Sequence, residues 1–325
     1  AVGKQAGAAN TTGSQNTFIG RYAGAATTTG ANNVSVGSGN FSSNTTGADN
    51  TAVGKGALTA NTTASYNTAV GKDALLANTT GSDNVAVGWS ALAANTTGAD
   101  NVSIGKQSLI NNTTASNNTG LGDRTLQATT SGGQNTAVGK DALYANTASE
   151  NTAVGTYSMD ANTTGGNNCA VGYNTLGSNT TGAQNTCVGH TSLDACTTGV
   201  DNTAVGTSSL GASTTGSYNA AVGKNAMDSI TTGSYNTALG MGAGHALTTG
   251  EYNVFLGYNA GDGLGTTSHN NVIIGSGSDA GASWQYHAIV IGSGLSSANA
   301  DNRFSFGKSS NVVHNDFTSN ASWTR

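Results

Sequence analysis

Residues 67–83 read NTAVGKDALLANTTGSD, and the element that opens this stretch, Asn-Thr-Ala-Val-Gly, decides the fold. An Asn, two further residues, an aliphatic residue and a Gly return along the chain with a period of 17 residues. The closing glycines are Gly3, Gly20, Gly37, Gly54, Gly71, Gly88, Gly105, Gly122, Gly139, Gly155, Gly172, Gly189, Gly206, Gly223, Gly240 and Gly257. Only the interval from Gly139 to Gly155 differs, at 16 residues. A fixed period of this length indicates a repeat architecture.

Beyond Gly257 the repeat becomes less regular. Its glycines continue at Gly275, Gly292 and Gly307, with intervals of 18, 17 and 15 residues. Longer loops and more aromatic residues separate them. We therefore predict two regions, a shaft of 17-residue repeats over 1–257 and an irregular, β-rich C-terminal cap or tip over 258–325.

Within one repeat, the first four residues predict a short strand, because adjacent strand positions point to opposite faces. The fourth position is always aliphatic, and the third is mostly Ala or Ser. A strand that is apolar on both faces is expected to be buried on both. The Asn-Thr-Thr-Gly that follows is a turn composition, with Gly available for a positive φ.

A unit this small cannot bury its own apolar side chains, whereas stacked copies can. We therefore predict an all-β fold, a β-solenoid rod whose coils lie about 4.8 Å apart, with Val stacked on Val and Leu on Leu. The strand-opening Asn residues would stack in a hydrogen-bonded amide ladder. The absence of Pro fits, because Pro removes a donor from such a ladder.

The core of a single coil is thin, with about two large aliphatic side chains per turn. The small third position offers a second surface on which backbones could approach closely. We infer a parallel homotrimer in which three chains meet at these Ala and Ser residues. A dimer or a single solenoid remains open as an alternative.

Composition excludes several classes of protein. The chain has 325 residues, 48 of them Gly and none Pro, which excludes collagen. Charged residues make up 8% and the net charge is -5, which is unlike charge-driven disorder. The 11 Lys and Arg are spread thinly and no run of 18 apolar residues occurs. We expect neither nucleic-acid binding nor membrane insertion.

The residues that support catalysis are scarce. Glu occurs only at Glu150 and Glu251, and the five His share no metal-ligand spacing. We expect no enzymatic activity, no catalytic residue, no cofactor and no metal site. Cys169, Cys187 and Cys196 fall at the second, third and twelfth repeat positions, so they do not stack on one another. We interpret them as small buried substitutes for Thr, Ala and Asn.

Two groups of residues are candidates for binding. Tyr218, Tyr235 and Tyr252 follow one another at the position before the strand Asn, where they predict an aromatic ladder. Such a ladder either offers a platform for sugar rings or simply stabilises the stack.

The second group lies in the C-terminal region, where unlike side chains come together on longer loops. There Trp284 and Tyr286 are candidate aromatic contacts, with Asp279 and His287 as polar neighbours. A cap that closes the end of the solenoid is the competing interpretation for this region.

The array Asn-Thr-Ala-Val-Gly, Ala-Leu, Asn-Thr-Thr-Gly over about 1–257 resembles the repeat regions of phage tail fibres and related trimeric bacterial surface fibres. A weaker likeness is to the heads of trimeric autotransporter adhesins. Residues 302–325, NRFSFGKSSNVVHNDFTSNASWTR, are similar to the stretch before the self-cleaving intramolecular chaperone of endosialidase-type tail fibres. The resemblance implies a trimer whose chaperone was cut away or left out. We also expect a missing N-terminal attachment region, since the chain begins within a repeat.

These features predict a structural and adhesive protein: the shaft and tip of a trimeric phage tail fibre that binds a host surface glycan or protein receptor, located in the virion. The alternative is a trimeric adhesin or extracellular fibre at a bacterial cell surface. A third hypothesis is an ice-binding β-solenoid. The adjacent Thr residues of Asn-Thr-Thr-Gly would face opposite ways, however, so no flat Thr-x-Thr array is evident.

Overall fold

The computed structural model describes residues 1–281, 286–296, 302–309 and 311–316. These residues form short strands joined by turns, with no helix among them. The chain divides into two compact units, Ala1–Gly166 (unit 1) and Asn167–Arg325 (unit 2). Each unit is a parallel β-solenoid with one strand per turn, which confirms the all-β repeat fold.

Unit 1 contains nine strands of three residues each, and successive strands from β1 to β9 pair in parallel. They are β1 Thr17–Ile19, β2 Val34–Val36, β3 Thr51–Val53, β4 Thr68–Val70, β5 Val85–Val87, β6 Val102–Ile104, β7 Thr119–Leu121, β8 Thr136–Val138 and β9 Thr152–Val154.

The described residues of unit 2 form ten strands, which are β10 Cys169–Val171, β11 Thr186–Val188, β12 Thr203–Val205, β13 Ala220–Val222, β14 Thr237–Leu239, β15 Val254–Leu256, β16 Val272–Ile274, β17 Ile289–Ser293, β18 Arg303–Lys308 and β19 Asn311–Asp316. Parallel pairing continues from β10 to β18, through the irregular region after Gly257. The last strand, β19, pairs antiparallel with β18.

Equivalent residues of successive turns lie directly opposite one another. Val53 pairs with Val70 in unit 1, and Val205 pairs with Val222 in unit 2. The predicted stacking of Val on Val is therefore confirmed. Because the register does not slip, residues at the remaining repeat positions also stack on their equivalents in the next turn.

The two faces of each strand differ in burial. The small third position points into the coil and is fully buried, as in Ala52, Ala69 and Ala204. The aliphatic fourth position points outwards and is half-buried at Val53 and exposed at Leu121. The prediction that the Ala and Ser residues form the contact between chains is therefore wrong, because these side chains already lie inside their own coil.

The narrow interior explains why the inner position is small. At Gly120, the inner residue of β7, an added Cβ would lie 2.5 Å from Oγ of Ser108 and 2.8 Å from Oγ1 of Thr125, which fill the coil from the turns. Where the inner residue is instead Phe18 or Phe255, the Leu position of the adjoining turns is Gly. A Cβ on Gly24 or Gly261 would collide with the corresponding ring. The coil thus conserves interior volume, as close packing requires.

The strand-opening Asn residues form the predicted ladder. The Oδ1 of Asn33 accepts the backbone N–H of Asn50 at 3.0 Å and its Nδ2 at 3.2 Å. The same Nδ2 donates to the carbonyl of Ala64 at 2.9 Å. Hydrogen bonds of this kind to the neighbouring turns satisfy the amides of the strand-opening ladder, which lowers the cost of burying them.

Every turn also holds non-glycine residues in the left-handed conformation. In one turn these are Asp73, Leu75 and Asp83, with φ of 59°, 51° and 60°. Short polar side chains tolerate this conformation, which explains the Asp and Asn residues at the first and third of these positions. The conformation costs about 1–2 kcal/mol for Leu. Complete burial of the Leu side chain, contributing about 1.5–3 kcal/mol, offsets that cost.

Candidate functional site

The three candidate tyrosines of unit 2 form a stacked ladder. The ring centroids of Tyr218 and Tyr235 lie 4.8 Å apart with planes inclined by 5°, and those of Tyr235 and Tyr252 lie 5.0 Å apart at 4°. About half of each side chain is exposed. Both faces of Tyr235 are covered by its neighbours, so a ligand lying along this ladder meets ring edges and hydroxyl groups.

Two of the C-terminal candidates, Tyr286 and His287, lie along the edge of unit 2 that carries the tyrosine ladder. His287 occupies the repeat position of the tyrosine ladder, two residues before the strand, and shares its left-handed conformation with φ of 60°. Tyr286 lies in the neighbouring row, where its ring stacks on His269 with a centroid distance of 5.6 Å. The structure therefore places Tyr286 and His287 on the same edge as the tyrosine ladder, although the sequence suggested two separate groups.

Asp279 lies elsewhere, at the buried Leu position of its turn. Its carboxylate occupies the space beside Gly263. Burial, together with the nearby charge of Asp262, raises the pKa of the Asp279 carboxyl above its ordinary value of 3.8. Trp284, the remaining candidate, lies outside the described residues.

The outward strand positions form a continuous face in each unit, here called the outer strand face. It consists of the first and third residues of β1 to β17 together with Phe304 and Phe306 of β18, which pair with Ile289 and Ile291, and none of these residues is charged. In unit 2 its members are Cys169, Val171, Thr186, Val188, Thr203, Val205, Ala220, Val222, Thr237, Leu239, Val254, Leu256, Val272, Ile274, Ile289, Ile291, Phe304 and Phe306. Side chains of this kind at 37–54% exposure, such as Val222 and Phe306, are an unusual surface for a protein in water.

This face becomes fully apolar over the last parallel strands. From β15 to β18 no Thr remains on it, and its side chains are Val, Leu, Ile or Phe. Val313 of β19 pairs with Phe306 and extends the patch, with 57% of its side chain exposed. This surface was not predicted from the sequence, because a strand that is apolar on both faces was expected to be buried on both.

A cleft of about 340 Å³ opens in the turns of unit 2. Sequence reasoning missed it as well, although the signal was Gly242, which interrupts a row of side chains. The lining residues are Lys224, Asn225, Met241, Gly242, His245, Tyr258, Asn259 and Asp262. Nδ1 of His245 also lies in short contact with Oδ1 of Asp228 on the turn before.

Unit 1 has a smaller cleft of about 240 Å³ in the corresponding part of its turns. There the guanidinium of Arg124 donates to the Asp141 carboxylate at 2.8 Å and lies 5.5 Å from the ring centroid of Tyr144. The hydrogen bond and charge of Asp141 raise the pKa of Arg124. This cation is therefore already neutralised within the chain.

The cysteines occupy the positions expected from their repeat numbers. Cys187 and Cys196 are buried, whereas Cys169 is half-buried on the outer strand face. Burial raises the pKa of the Cys196 thiol to about 11 and that of Cys187 well above its ordinary value. Among the described residues, no group of three His, Cys, Asp or Glu side chains could hold a metal ion.

No stretch of the described residues forms a helix long and apolar enough to cross a membrane. No protein-family model matches the chain, and no curated protein matches its sequence.

Proposed function

We propose that this chain is a structural and adhesive fibre protein, a phage tail fibre that assembles as a homotrimer and binds a glycan on the host surface. The observation that carries the proposal is the uncharged aliphatic face that each unit presents along its strands. A single chain in water would leave this surface exposed at a cost of about 25 cal/mol for each Å².

Copies of the same chain are the occupant that fits this face best. The outer side chains recur at every turn, so a partner with the same spacing can place a side chain against each of them. The absence of charge allows like faces to approach without repulsion. Symmetric assembly of identical chains is also the commonest route to an oligomer. The assembly contact therefore uses the Val, Ile, Leu and Phe positions.

Adhesion is supported by unit 2, where half-exposed aromatic side chains line one edge. Regular turns present the same chemistry repeatedly, and three copies would multiply it through avidity. The proposed location is the virion tail. A trimeric adhesin or extracellular fibre of a bacterial surface would use the same two surfaces and is the alternative.

Ice binding is the second candidate function, and one observation favours it. Thr186, Thr203 and Thr237 lie on the outer strand face beside Val and Leu, in a row that is interrupted at Ala220 and that the Asn-Thr-Thr-Gly turns alone did not suggest. Binding to ice requires this face to be open to water, whereas assembly covers it. The two functions therefore predict different masses in solution.

Light scattering separates them. The wild-type chain of 31.9 kDa should give a particle of about 96 kDa as a trimer. The double variant Leu256→Asp with Ile274→Asp should give a folded monomer, because charge on the outer strand face prevents its burial. A wild-type monomer with thermal hysteresis would instead support ice binding and overturn the fibre proposal.

Adhesion has its own test. The fluorescently labelled trimer should adsorb to cells of a bacterial panel, and periodate oxidation of the surface sugars should abolish adsorption. Unchanged adsorption after oxidation would contradict a glycan receptor. Adsorption to none of the panel would contradict the adhesive role.

A further inference from the structure

We propose that the cleft of unit 2 between Lys224 and Asp262 binds an acidic saccharide, a sugar ring that carries one anionic group. This inference rests on the proposed adhesive function and gives it a defined site. The cleft lies in the turns, so it stays accessible when the outer strand face is covered. It combines a cation, an aromatic side chain, amides and a carboxylate within about 340 Å³.

The cleft exists because one row of side chains is interrupted. The second residue after each closing Gly has a positive φ and normally bears a side chain, such as Asn225 at φ of 56° and Asn259 at 48°. Gly242 holds this position between them, with φ of 65°. The missing side chain leaves a gap, into which the amide of Asn259 leans from the next turn.

Lys224 supplies the positive charge at one end. No ion pair involves its ammonium group within the described residues, whereas the cation of the unit 1 cleft is held by Asp141 at 2.8 Å. An unpaired ammonium at the rim of a cleft is a donor for a carboxylate or phosphate. The two clefts therefore differ in the property that matters for an anionic ligand.

Met241 and Tyr258 give the cleft its apolar wall. Lys224, Met241 and Tyr258 each follow the closing Gly of successive turns and so stack in one row. Met241 is 47% exposed and Tyr258 is 52% exposed. Tyr258 has no stacked aromatic partner among the described residues, unlike the rings of the tyrosine ladder, and the next residue of its row is the small Ser276. The apolar face of a sugar ring can pack against such a side chain.

The opposite end accepts and donates hydrogen bonds. Asn225 and Asn259 offer amides, and Asp262 offers a carboxylate two turns from Lys224, which is roughly 10 Å along the axis of the coil. His245 lies between them and contacts Asp228. Sugar hydroxyls can satisfy these groups while an acidic substituent reaches Lys224. A purely anionic ligand without hydroxyls would face Asp262 unfavourably.

Matched sugars and matched variants test the site. Glucuronic acid, glucose 6-phosphate and glucose share one ring and differ in the anionic group, so their binding to the full chain by NMR titration isolates the charge. Gly242→Asn fills the gap with a residue that both neighbouring turns carry at the same backbone conformation. Lys224→Gln removes the cation. The controls are Lys55→Gln and Gly56→Asn, which change the same two repeat positions of a turn in unit 1.

We expect the wild-type chain to bind glucuronic acid or glucose 6-phosphate at least tenfold more tightly than glucose. Which of the two binds identifies the anionic group as a carboxylate or a phosphate. Both unit 2 variants should weaken binding of that sugar at least tenfold, and both unit 1 controls should leave it unchanged. Equal affinity for glucose, or undiminished binding by folded Gly242→Asn, would overturn the proposal.

Adsorption to cells distinguishes this failure from failure of the proposed function. If Gly242→Asn adsorbs to cells as well as wild type, the cleft is wrong and the adhesive fibre stands. If wild type adsorbs to no cells while the cleft variants still lose sugar binding, the cleft stands and the fibre function fails.

Discussion

The ladders inside unit 2 and the ladders on its outside are built from similarly uncharged residues, yet they serve different ends. Inside, Ala204 and Asn202 are fully or almost fully buried and find their partners in the neighbouring turns. Outside, Val222 and Leu239 repeat just as regularly but remain 37–49% exposed. The inner ladders satisfy their own packing and hydrogen bonds within the turns, whereas the outer ladder leaves apolar surface open, and this is the surface that the proposed assembly would cover.

The largest difference between the inner and outer ladders is expected when a charged residue is placed on one or the other face of the same strand. Ala204→Asp puts a carboxylate into a dry coil without a partner, and it should abolish folding of unit 2. Thr203→Asp, one residue away on the outer strand face, should keep the far-ultraviolet circular dichroism of the wild type but lower its mass in light scattering. A folded Ala204→Asp variant would show that the inside of the coil is misassigned.

Removing a large side chain from the interior of the coil should lower the free energy of unfolding less than placing a charge there. Phe255→Ala leaves a cavity in the interior of the coil next to β15 and should lower the free energy of unfolding by about 3–5 kcal/mol. Adding Gly244→Leu restores volume at a position where other turns carry Leu, so the double variant should regain part of this loss. Denaturant melts of the two single variants and the double variant give the coupling energy. Strict additivity would contradict the shared interior.

The turn length, the strand positions, the stacking register and the Asn ladder could all be predicted from the sequence, because each follows from the period. Which strand face lies inside could not be predicted from hydropathy, since Ala and Val are both apolar. The occurrence of Phe18 together with Gly7 and Gly24 indicates which face lies inside. A large inner residue fits only where the Leu position of the adjoining turns is Gly. The unit 2 cleft depends on a single interruption at Gly242, which no repeat average reveals.

The tyrosine ladder should contribute only modestly to the stability of the fold, because its side chains lie outside the coil. Tyr235→Ser removes two stacked contacts and should lower the free energy of unfolding by about 1–3 kcal/mol. Tyr66→Ser is the matched control, because Tyr66 occupies the same repeat position between Asp49 and Asp83. Chemical denaturation should show a smaller loss for this control. Equal losses would mean that stacking adds nothing to the ladder.

Asp279 brings a carboxylate towards the inside of a turn, and its effect should depend on pH. Its raised pKa means that the folded state binds a proton at pH values where the unfolded state does not. Its contribution to stability therefore falls as pH rises through the folded pKa. Asp279→Asn should raise the melting temperature at pH 7 and raise it less at pH 4. The exposed Asp201→Asn control should show no such trend, and a gain for Asp279→Asn that grows towards pH 4 would contradict this assignment.

The native cysteines allow the most direct test, because Cys187 lies on the inner ladder and Cys169 on the outer one. Timed labelling with a maleimide, located by peptide mass spectrometry, should leave Cys187 and Cys196 unmodified in every folded sample. Cys169 should be protected in the wild-type assembly and should react in the Leu256→Asp, Ile274→Asp monomer. Rapid labelling of Cys187 in the folded chain would contradict the inner ladder, and rapid labelling of Cys169 in the wild type would contradict assembly through the outer strand face.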